Sequence, residues 1–289
     1  MKKIAIVSCN KWINKIQEDL LLKQYLENEG YNAQIISWED SKINYNDYSG
    51  LILRSVWGYQ NKYLKFKTWL SMIDNLGIPL FNNVDIVLNN IRKDKQFEIL
   101  YKHNIPYIDT KFIFDVNELN CYFNSNLPKV IKPIISGSGS NTFIIKSKEN
   151  INQIKEIYKK LLEEKDNGII LQPFIPEIKD GEFACIYIDG INTHNMLRFP
   201  GILSVKHKPI FLNEIPASVS NLAQKVSTLE EYKDYLYMRI DIVFKNNEPL
   251  IMEVELAEPD LLFKYIPDEE IKNNNMEFFA KKLVRRLKK

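Results

Sequence analysis

Three acidic residues interrupt apolar stretches near the end of the sequence. Asp241 lies in RIDIVF, and Glu253 and Glu255 lie in LIMEVEL. Side chains two positions apart on a strand point to the same face, so the two glutamates project together, roughly 6 to 7 Å apart at the backbone. The turn signal NNEP between the two stretches predicts a hairpin that brings Asp241 close to both of them.

Three carboxylates on one apolar sheet would repel one another and lose solvation. A hard cation relieves both costs, and Mg²⁺ binds carboxylate oxygens that it often shares with nucleotide phosphates. The segment alone fits two interpretations equally well, a magnesium site and a solvated outer face of the sheet.

A second candidate is the glycine- and serine-rich loop KPIISGSGSNT, which spans residues 132–142. Gly137 and Gly139 would let the backbone approach a phosphate and offer several N–H groups to it. Lys132, on the strand before the loop, could pair with phosphate oxygens. No Gly-Lys-Ser/Thr ends the loop, so it is not a Walker A motif. A flexible hairpin turn is the more common explanation of such a loop.

The stretch LQPFIPEIKDGE, residues 171–182, could bind a nucleoside. Phe174 and Ile175 could sandwich a flat base, exposed backbone could read its edge, and Glu182 could accept hydrogen bonds from ribose hydroxyls. A plain strand-turn-strand is the simpler alternative. Arg198, in HNMLRFPG, is either a clamp for an oxyanion or the partner of a nearby acid.

The stretch RSVWGY follows the predicted third strand of the N-terminal part. Loops at the carboxyl ends of parallel strands tend to form ligand crevices. Arg54 is therefore a candidate for binding a substrate carboxylate. Trp57 and Tyr59 could line the same pocket or pack in the core.

Hydrophobic periodicity predicts two kinds of architecture. A β-α-β-β-α-β order over residues 1–85 indicates a small α/β lobe of parallel strands. The remainder reads as α+β with antiparallel hairpins, one turning at Asp189-Gly190, and with helices at STLEEYKDYLY and at the C-terminus. Three lobes are predicted, over residues 1–88, 89–170 and 171–289.

Composition limits the classes of function. The 289 residues are 45% hydrophobic and 26% charged, as in a globular protein, and the net charge of +2 gives no argument for nucleic acid or a membrane as a partner. The three cysteines are widely spaced, which suggests a reducing compartment. The first apolar run is too short for a signal peptide, and no run approaches the ~20 residues that span a membrane. We expect a cytoplasmic protein.

The order of these motifs is more specific than any one of them. A lysine, then Lys-Pro with a Gly/Ser loop, Gln-Pro-Phe-Ile, an arginine, and Asp…Glu-x-Glu resembles the ATP-grasp superfamily. LQPFIPEIKDGEFACIYIDG is similar to a stretch of bacterial glutathione synthetases. LRSVWGY together with YMRIDIVF…IMEVELAEPDLLF looks more like the branch that includes the O-ureidoserine cyclo-ligase of cycloserine biosynthesis.

The resemblance implies an ATP-grasp architecture, in which the small parallel-sheet lobe precedes two α+β lobes that clasp ATP. It also implies roles for individual residues. Phosphates would be bound by Lys95, Lys132 and a mobile lid over Ser136–Ser140, which includes Gly137, Ser138 and Gly139. Gln172, Phe174 and Ile175 would line the adenine slot, Glu182 would hold the ribose, Arg198 would contact the transferred phosphoryl group, and Asp241, Glu253 and Glu255 would hold two Mg²⁺ ions. Much of the superfamily has asparagine in place of the last acid, so Glu255 could instead bridge the ions or contact substrate.

The implied activity is an ATP-dependent carboxylate–amine ligase that forms an amide through an acyl phosphate. Its substrate would be a small amino-acid-like molecule or a short peptide, with intramolecular cyclisation as a sub-case. Two alternatives stay open at this point, a ligase that modifies a peptide or protein and a protein that binds ATP without chemistry. Dimerisation is common in the superfamily, so a homodimer is a further expectation.

Overall fold

The chain begins with a four-stranded parallel sheet. The structure, a computed structural model, describes residues 2–122, 127–137, 139, 141–147, 151–163, 167–199 and 207–288. The strands are β1 (Lys3–Ser8), β2 (Asn32–Ser37), β3 (Gly50–Leu53) and β4 (Leu80–Phe81), in the order β2-β1-β3-β4, with connecting helices α1 (Gln17–Asn28) and α2 (Tyr63–Asn75). Parallel pairing of β1 with β2 and β3 confirms the predicted α/β lobe.

A four-stranded antiparallel sheet forms the middle of the chain. Helices α3 (Val84–Asn90) and α4 (Lys93–Lys102) lead into it, its strands are β5 (Lys111–Ile113), β6 (Lys129–Pro133), β7 (Phe143–Ile145) and β8 (Ile169–Pro173), and its helices are α5 (Leu119–Tyr122) and α6 (Ile151–Glu163). The order is β5-β8-β6-β7. The predicted boundary between residues 170 and 171 falls inside β8 and is wrong, because all five residues of β8 pair with β6.

The third sheet has five strands and carries most of the candidate site. The strands are β9 (Glu182–Ile188), β10 (Ile191–Arg198), β11 (Ile210–Leu212), β12 (Tyr237–Lys245) and β13 (Glu248–Glu255), and the helices are α7 (Ala217–Ser227) and α8 (Glu269–Arg286). The order is β11-β10-β9-β12-β13, and both predicted hairpins are present. The structure is thus a mixed α/β and α+β architecture, as predicted.

Each turn of these hairpins has the residues that its backbone requires. Asp189 and Gly190 have φ of 48° and 83°, and Asn246 and Asn247 have φ of 52° and 67°. Left-handed conformations at both central positions match the twist of the strands, and Asp, Asn and Gly tolerate them best. The Asn246-Asn247 turn pairs Lys245 with Glu248, and a bulge-like irregularity between Asp241 and Ile242 then shifts the register by one residue, so that Asp241 lies opposite Glu253.

Alternation along β12 separates core from site. Ile240 and Ile242 are fully buried in a cluster that includes residues of α7. Arg239 and Asp241, one position out of phase, line a cavity on the opposite face. The apolar face of β12 thereby fixes the strand that presents the charged side chains.

The segment STLEEYKDYLY differs from its predicted helix. The helix α7 lies before it and follows Pro216, and only Glu230–Tyr232 forms a single 3-10 turn. Tyr232 and Leu236 of this segment are buried. Their burial comes from an irregular path into β12 rather than from one face of a helix.

Among the described residues, no helix has both the length and the apolar character needed to cross a membrane.

Candidate active site

A cavity of about 850 Å³ lies between the middle and the C-terminal sheets. Its lining comes from both sheets, from the loop after β6 and from Trp57 of the N-terminal lobe. One part of the lining is apolar and consists of Ile108, Val130, Pro173, Phe174, Ile175, Ile178 and Met252. The rest carries the charged side chains, so the cavity offers an apolar slot beside a polar floor.

The apolar slot contains the predicted adenine-binding residues. Phe174 and Ile175 line it, and Gln172 lies beside them with its Nε2 donating a hydrogen bond to Thr110 Oγ1 at 2.9 Å. Ile108 and Met252 complete the wall from outside the predicted motif. Ile108 and Met252 were not predicted, because neither lies in a polar or glycine-rich pattern.

The polar floor is built by the register of β12 and β13. Asp241 pairs directly with Glu253, and Arg239 pairs with Glu255. Directly opposite residues of antiparallel strands share a face, so the three predicted metal ligands face the cavity together. Ala184 of β9 is the partner of Asp241 on its other side. Ala184 is fully buried in an apolar cluster, which anchors β9 beside the floor.

Two acidic side chains of the floor, Asp241 and Glu255, form ion pairs with arginines. Arg239 Nε donates to Asp241 Oδ1 at 2.9 Å, and Arg239 Nη2 lies 2.9 Å from Glu255 Oε2. Arg198 bridges Asp241 at 3.0 Å and Glu182 at 3.3 Å. Arg198 and Glu182 therefore both line the cavity, but they contact each other, as the simpler interpretation of Arg198 expected.

The donor chemistry of the floor fits Mg²⁺, whose preferred ligands are carboxylate oxygens. Asp241, Glu253 and Glu255 would be its ligands. Within the described part of the chain, however, no three His, Cys, Asp or Glu side chains are already arranged around one ion. Arg239 contacts both oxygens of Asp241 and one oxygen of Glu255.

Of the first two lysines of α4, Lys93 enters the cavity and the predicted Lys95 does not. Lys93 Nζ lies 2.8 Å from Glu253 Oε1 and donates to the carbonyl of Ser136 at 3.0 Å. Lys95 points to solvent and pairs with Glu98. Residues two apart on a helix project roughly 200° apart, so only one of two such lysines can face the site. The prediction of Lys95 as a cavity residue is therefore corrected to Lys93.

Burial and charge act against each other at Lys93 and Glu253. Burial alone would lower the pKa of Lys93, but the carboxylate of Glu253 and its neighbours raise it. Burial alone would raise the pKa of Glu253, but Lys93 and Lys132 hold it at about 2. Both groups are charged at neutral pH as a result.

Lys132 lines the cavity as predicted and differs from the other cations there. Burial lowers its pKa, against the pull of Glu253. The structure gives Lys132 no ion pair among the described residues, whereas Lys93, Arg198 and Arg239 each contact a carboxylate. An unpaired buried ammonium is suited to an anionic ligand.

The predicted phosphate loop borders the same cavity. Ser136, Gly137 and Gly139 contribute to the lining. Gly139 has φ of +70°, a conformation that L side chains rarely adopt. Ser138 and Ser140 lie outside the described residues. The described part of the loop is thus placed where a phosphate lid would have to be.

The strand that carries Glu253 and Glu255 is an edge strand whose outer groups are satisfied by side-chain amides. Asn90 Nδ2 donates to the Val254 carbonyl at 2.7 Å, and Asn90 Oδ1 accepts from Leu256 N at 2.8 Å. Gln96 Oε1 accepts from Val254 N at 2.9 Å. These bonds from α3 and α4 hold the edge in place and were not predicted from the sequence.

The three predicted substrate residues separate in the structure. Trp57 lines the cavity, and its Nε1 donates to the carbonyl of Glu258 at 3.0 Å. Tyr59 is 3% exposed and packs against Phe66 in the core, with ring centroids 4.9 Å apart. Arg54 is buried away from the cavity lining. The three residues were predicted to share a pocket because they are close in sequence. In the structure only Trp57 reaches the cavity.

Arg54 lies instead in a buried ion network. Its guanidinium is 3.7 Å from Glu18 and 3.8 Å from Asp19, and its Nη1 donates to the Pro259 carbonyl at 3.3 Å. The aromatic ring of Tyr237 lies 5.5 Å away. The prediction that Arg54 contacts a substrate carboxylate is therefore replaced by a role in joining the N-terminal lobe to the C-terminal lobe.

Two further acids reach the cavity from the loop after β13. Glu258 is 8% exposed, and burial together with the carboxylate of Glu255 raises its pKa to about 8. Asp260 is paired with Lys264 at 3.0 Å. Both follow the strand in AEPD, where an acid next to a proline is ordinary turn chemistry, so the sequence alone does not distinguish them.

Two protein-family models match this chain. The first, described as D-cycloserine synthetase DcsG, N-terminal domain, matches residues 4–82. The second, described as prokaryotic glutathione synthetase, ATP-grasp domain, matches residues 95–208. Together they cover well over half of the chain and include both the parallel-sheet lobe and the slot of the cavity.

Individual proteins of this kind are distant in sequence and close in fold. The cycloserine biosynthesis protein DcsG of Streptomyces lavendulae is 22% identical to this chain, in a match that covers 90% of each protein. The crystal structure of D-cycloserine synthetase DcsG matches with a TM-score of 0.81 at 18% identity over 99% of both chains.

Two ligand-bound structures also match. D-alanine–D-alanine ligase of Bacillus anthracis complexed with ATP gives a TM-score of 0.67 at 18% identity over 100% of both chains. The ATP-grasp ligase PsnB complexed with precursor peptide PsnA2 and AMPPNP gives 0.63 at 11% identity over 97% of both chains. At these identities the superpositions show a shared fold.

Proposed function

The chain belongs to the ATP-grasp superfamily, and on that premise we propose that it is an ADP-forming ligase that activates a carboxylate with ATP and joins it to an amine. The observation that carries the proposal is one cavity in which an apolar slot adjoins two lysines, two arginines and a floor of carboxylates. The apolar slot suits adenine, and the charged part suits the phosphates.

The reaction has two steps. A carboxylate oxygen of the substrate attacks the γ-phosphorus while its bond to ADP breaks, which gives an acyl phosphate. The amine nitrogen then attacks the acyl carbon, phosphate leaves, and the nitrogen loses a proton. Catalysis of such steps is mainly positioning and charge neutralisation.

The cavity residues supply these effects without a covalent intermediate on the protein. Lys93 and Lys132 would bind phosphate oxygens under the loop that contains Ser136. Arg198 would stabilise the oxygens of the transferred phosphoryl group. Asp241, Glu253 and Glu255 would hold magnesium, which when bound offsets the negative charge of the phosphates.

The substrate is proposed to be a small amino-acid-like molecule or short peptide. A cavity of about 850 Å³ has to hold ATP as well, which leaves room for a small second ligand. The match to the DcsG N-terminal domain supports a substrate of that scale and keeps intramolecular cyclisation as a sub-case. The fold shared with PsnB, bound to a precursor peptide, supports a peptide as the second candidate.

The proposal is tested by measuring ADP release with Mg·ATP across a panel of amino acids, dipeptides and a longer peptide set. Wild type is compared with Glu253→Gln and with Glu248→Gln, whose glutamate is exposed at the start of the same strand. We expect substrate-dependent ADP release that Glu253→Gln lowers at least a hundredfold and Glu248→Gln leaves unchanged.

Mass spectrometry of the active reaction distinguishes joined from cyclised product. A signal only with the longer peptides would favour the second candidate. ATP binding without ADP release on any substrate would overturn the ligase proposal and favour a protein that binds ATP without chemistry.

A further inference from the structure

Six carboxylates line the cavity in the described part of the chain, and five of them have a cationic partner. Glu182 and Asp241 contact Arg198, Glu255 contacts Arg239, Glu253 contacts Lys93, and Asp260 contacts Lys264, all between 2.8 and 3.3 Å. The sixth is Glu258. Its carboxylate makes no ion pair or side-chain hydrogen bond with any described residue.

Glu258 is nevertheless buried, with 8% of its surface exposed. A carboxylate that loses most of its surrounding water without gaining a cation is costly to ionise. That cost is visible in its pKa, which burial and then Glu255 raise to about 8. A cation delivered into the cavity would remove the cost, so this position is prepared for a positively charged group.

Glu258 reaches the cavity from a different segment than the residues of the adenine slot. It lies in the loop that follows the floor strand β13, and the indole of Trp57 fixes its backbone by donating to the carbonyl at 3.0 Å. Trp57 is the contribution of the N-terminal lobe to the cavity lining. The backbone of Glu258 is therefore anchored to the residue that the N-terminal lobe contributes to the cavity lining.

Charge counting points to the same group. The six lining carboxylates exceed the four lining cations, which are Lys93, Lys132, Arg198 and Arg239. ATP with two magnesium ions adds no net charge. Asp260 is paired with Lys264 outside the lining, so among the described residues Glu258 is the lining carboxylate that has no cation beside it.

We propose that Glu258 accepts the ammonium group of the molecule whose carboxylate is activated, so that this substrate is an amino acid or a peptide with a free amine near its carboxylate. This inference deepens the ligase function proposed above and depends on it. Glu258 is a substrate-binding residue that selects amine-bearing acids over plain carboxylic acids.

The test compares each acid that supports ADP release with its deaminated analogue. Hydroxylamine is added to trap the acyl phosphate, so that activation is measured whether or not an acceptor amine is present. Wild type, Glu258→Gln, Glu258→Asp and Glu248→Gln are assayed for kcat/KM on both members of the pair, and Mg·ATP affinity is measured by calorimetry for each.

Wild type should prefer the amine-bearing acid by about 10- to 100-fold, the factor expected for a charge-assisted hydrogen bond. Glu258→Gln should lose most of that preference through a higher KM for the amine-bearing acid alone. Glu258→Asp should keep part of it, and Glu248→Gln should keep all of it. Mg·ATP affinity should not fall in any variant.

Two results would overturn the inference while leaving the ligase intact. One is a wild-type enzyme that activates both members of the pair equally well. The other is a Glu258→Gln enzyme that keeps the full preference. Absence of trapped product from wild type with every acid would instead contradict the ligase proposal itself.

Discussion

Two clusters of buried charge lie in this protein, and they differ in what their members contact. The cavity cluster consists of Lys93, Lys132, Arg198, Arg239, Asp241, Glu253, Glu255 and Glu258. The sealed cluster consists of Glu18, Asp19 and Arg54. In both clusters arginine is surrounded by acids and by apolar side chains, so burial and charge alone do not distinguish them.

Their partners do distinguish them. In the sealed cluster Arg54 contacts Glu18, Asp19, a backbone carbonyl and the ring of Tyr237, all from the protein itself. In the cavity cluster Lys132 and Glu258 have no charged partner among the described residues, and both line the cavity. A charged group that lines a cavity and has no charged partner is available to bind a ligand. A charged group whose partners all come from the protein stabilises the fold instead.

The largest expected effect is a loss of turnover when the cavity cluster is changed. Lys132→Met should lower turnover about a thousandfold, or about 4 kcal/mol of transition-state stabilisation, because it removes a cation aimed at the phosphates. Its melting temperature should not fall, since the native ammonium has no partner to leave behind. Steady-state kinetics and thermal unfolding on one preparation check both statements. A variant that unfolds early and keeps its turnover would reverse the distinction.

The converse change is made in the sealed cluster. Arg54→Met should lower the free energy of unfolding by about 3 to 5 kcal/mol, because Glu18 and Asp19 are left buried without their cation. Turnover of the folded fraction should stay within a few-fold of wild type at low temperature. Urea unfolding and kinetics at that temperature test this. A large rise in the KM of the activated acid with unchanged stability would instead restore Arg54 as a substrate residue.

The sealed cluster also predicts a pH effect. Burial and then Asp260 raise the pKa of Glu18 from 4.5 to about 7. The native state thus binds this proton more tightly than the unfolded state does, and the resulting stability, complete below pH 4.5, is lost as pH rises through 7. Glu18→Gln removes this dependence, so between pH 4.5 and 8 the variant should gain about 3 kcal/mol relative to wild type.

Urea unfolding of both proteins at the two pH values measures that difference. Glu248→Gln, at an exposed site, is the matched control. A constant gap between Glu18→Gln and wild type would show that Glu18 keeps an ordinary pKa and that the cluster is open to solvent.

The smallest expected effect concerns the support of the cavity floor. Asn90→Ala should lower the free energy of unfolding by about 1 to 3 kcal/mol, because the Val254 carbonyl and the Leu256 N–H lose their buried partner. Turnover should fall less than in Lys132→Met, since Asn90 touches no ligand. Hydrogen exchange at Leu256 N–H reports the same loss locally. Unchanged protection there would show that the edge of β13 is held by other contacts.

Much of the fold follows from the sequence because its signals are local. Asp189-Gly190 and the asparagine pair before Glu248 force tight turns, and alternation then assigns each strand residue to a face. Alternation predicted that Glu253 and Glu255 share a face, and the hairpin was expected to bring Asp241 close to them. Asp241 lies opposite Glu253 because the pairing shifts by one residue between Asp241 and Ile242, which no local signal in the sequence indicates.

The rest depends on contacts between distant segments. The helical spacing of Lys93, Phe97 and Leu100 puts Lys93 on the buried face of α4 and Lys95 on the other, a local signal that the prediction of Lys95 overlooked. That this face meets the carboxylates of β13 depends on how α4 packs. Arg54 follows a parallel strand as ligand-binding residues often do, yet α1 supplies two acids that enclose it. Glu258 lies in an ordinary turn sequence, and its importance comes from the lack of a partner in a folded cavity.

We propose that the cavity cluster binds the phosphates of Mg·ATP. Substitution of each of the first two lysines of α4 is the sharpest test of this proposal. Calorimetry would give the Kd of Mg·ATP for wild type, Lys93→Ala and Lys95→Ala. We expect a Kd at least tenfold higher for Lys93→Ala, which removes a cavity cation, and an unchanged Kd for Lys95→Ala, which removes an exposed one. Equal affinities for wild type and Lys93→Ala, or a loss confined to Lys95→Ala, would contradict it.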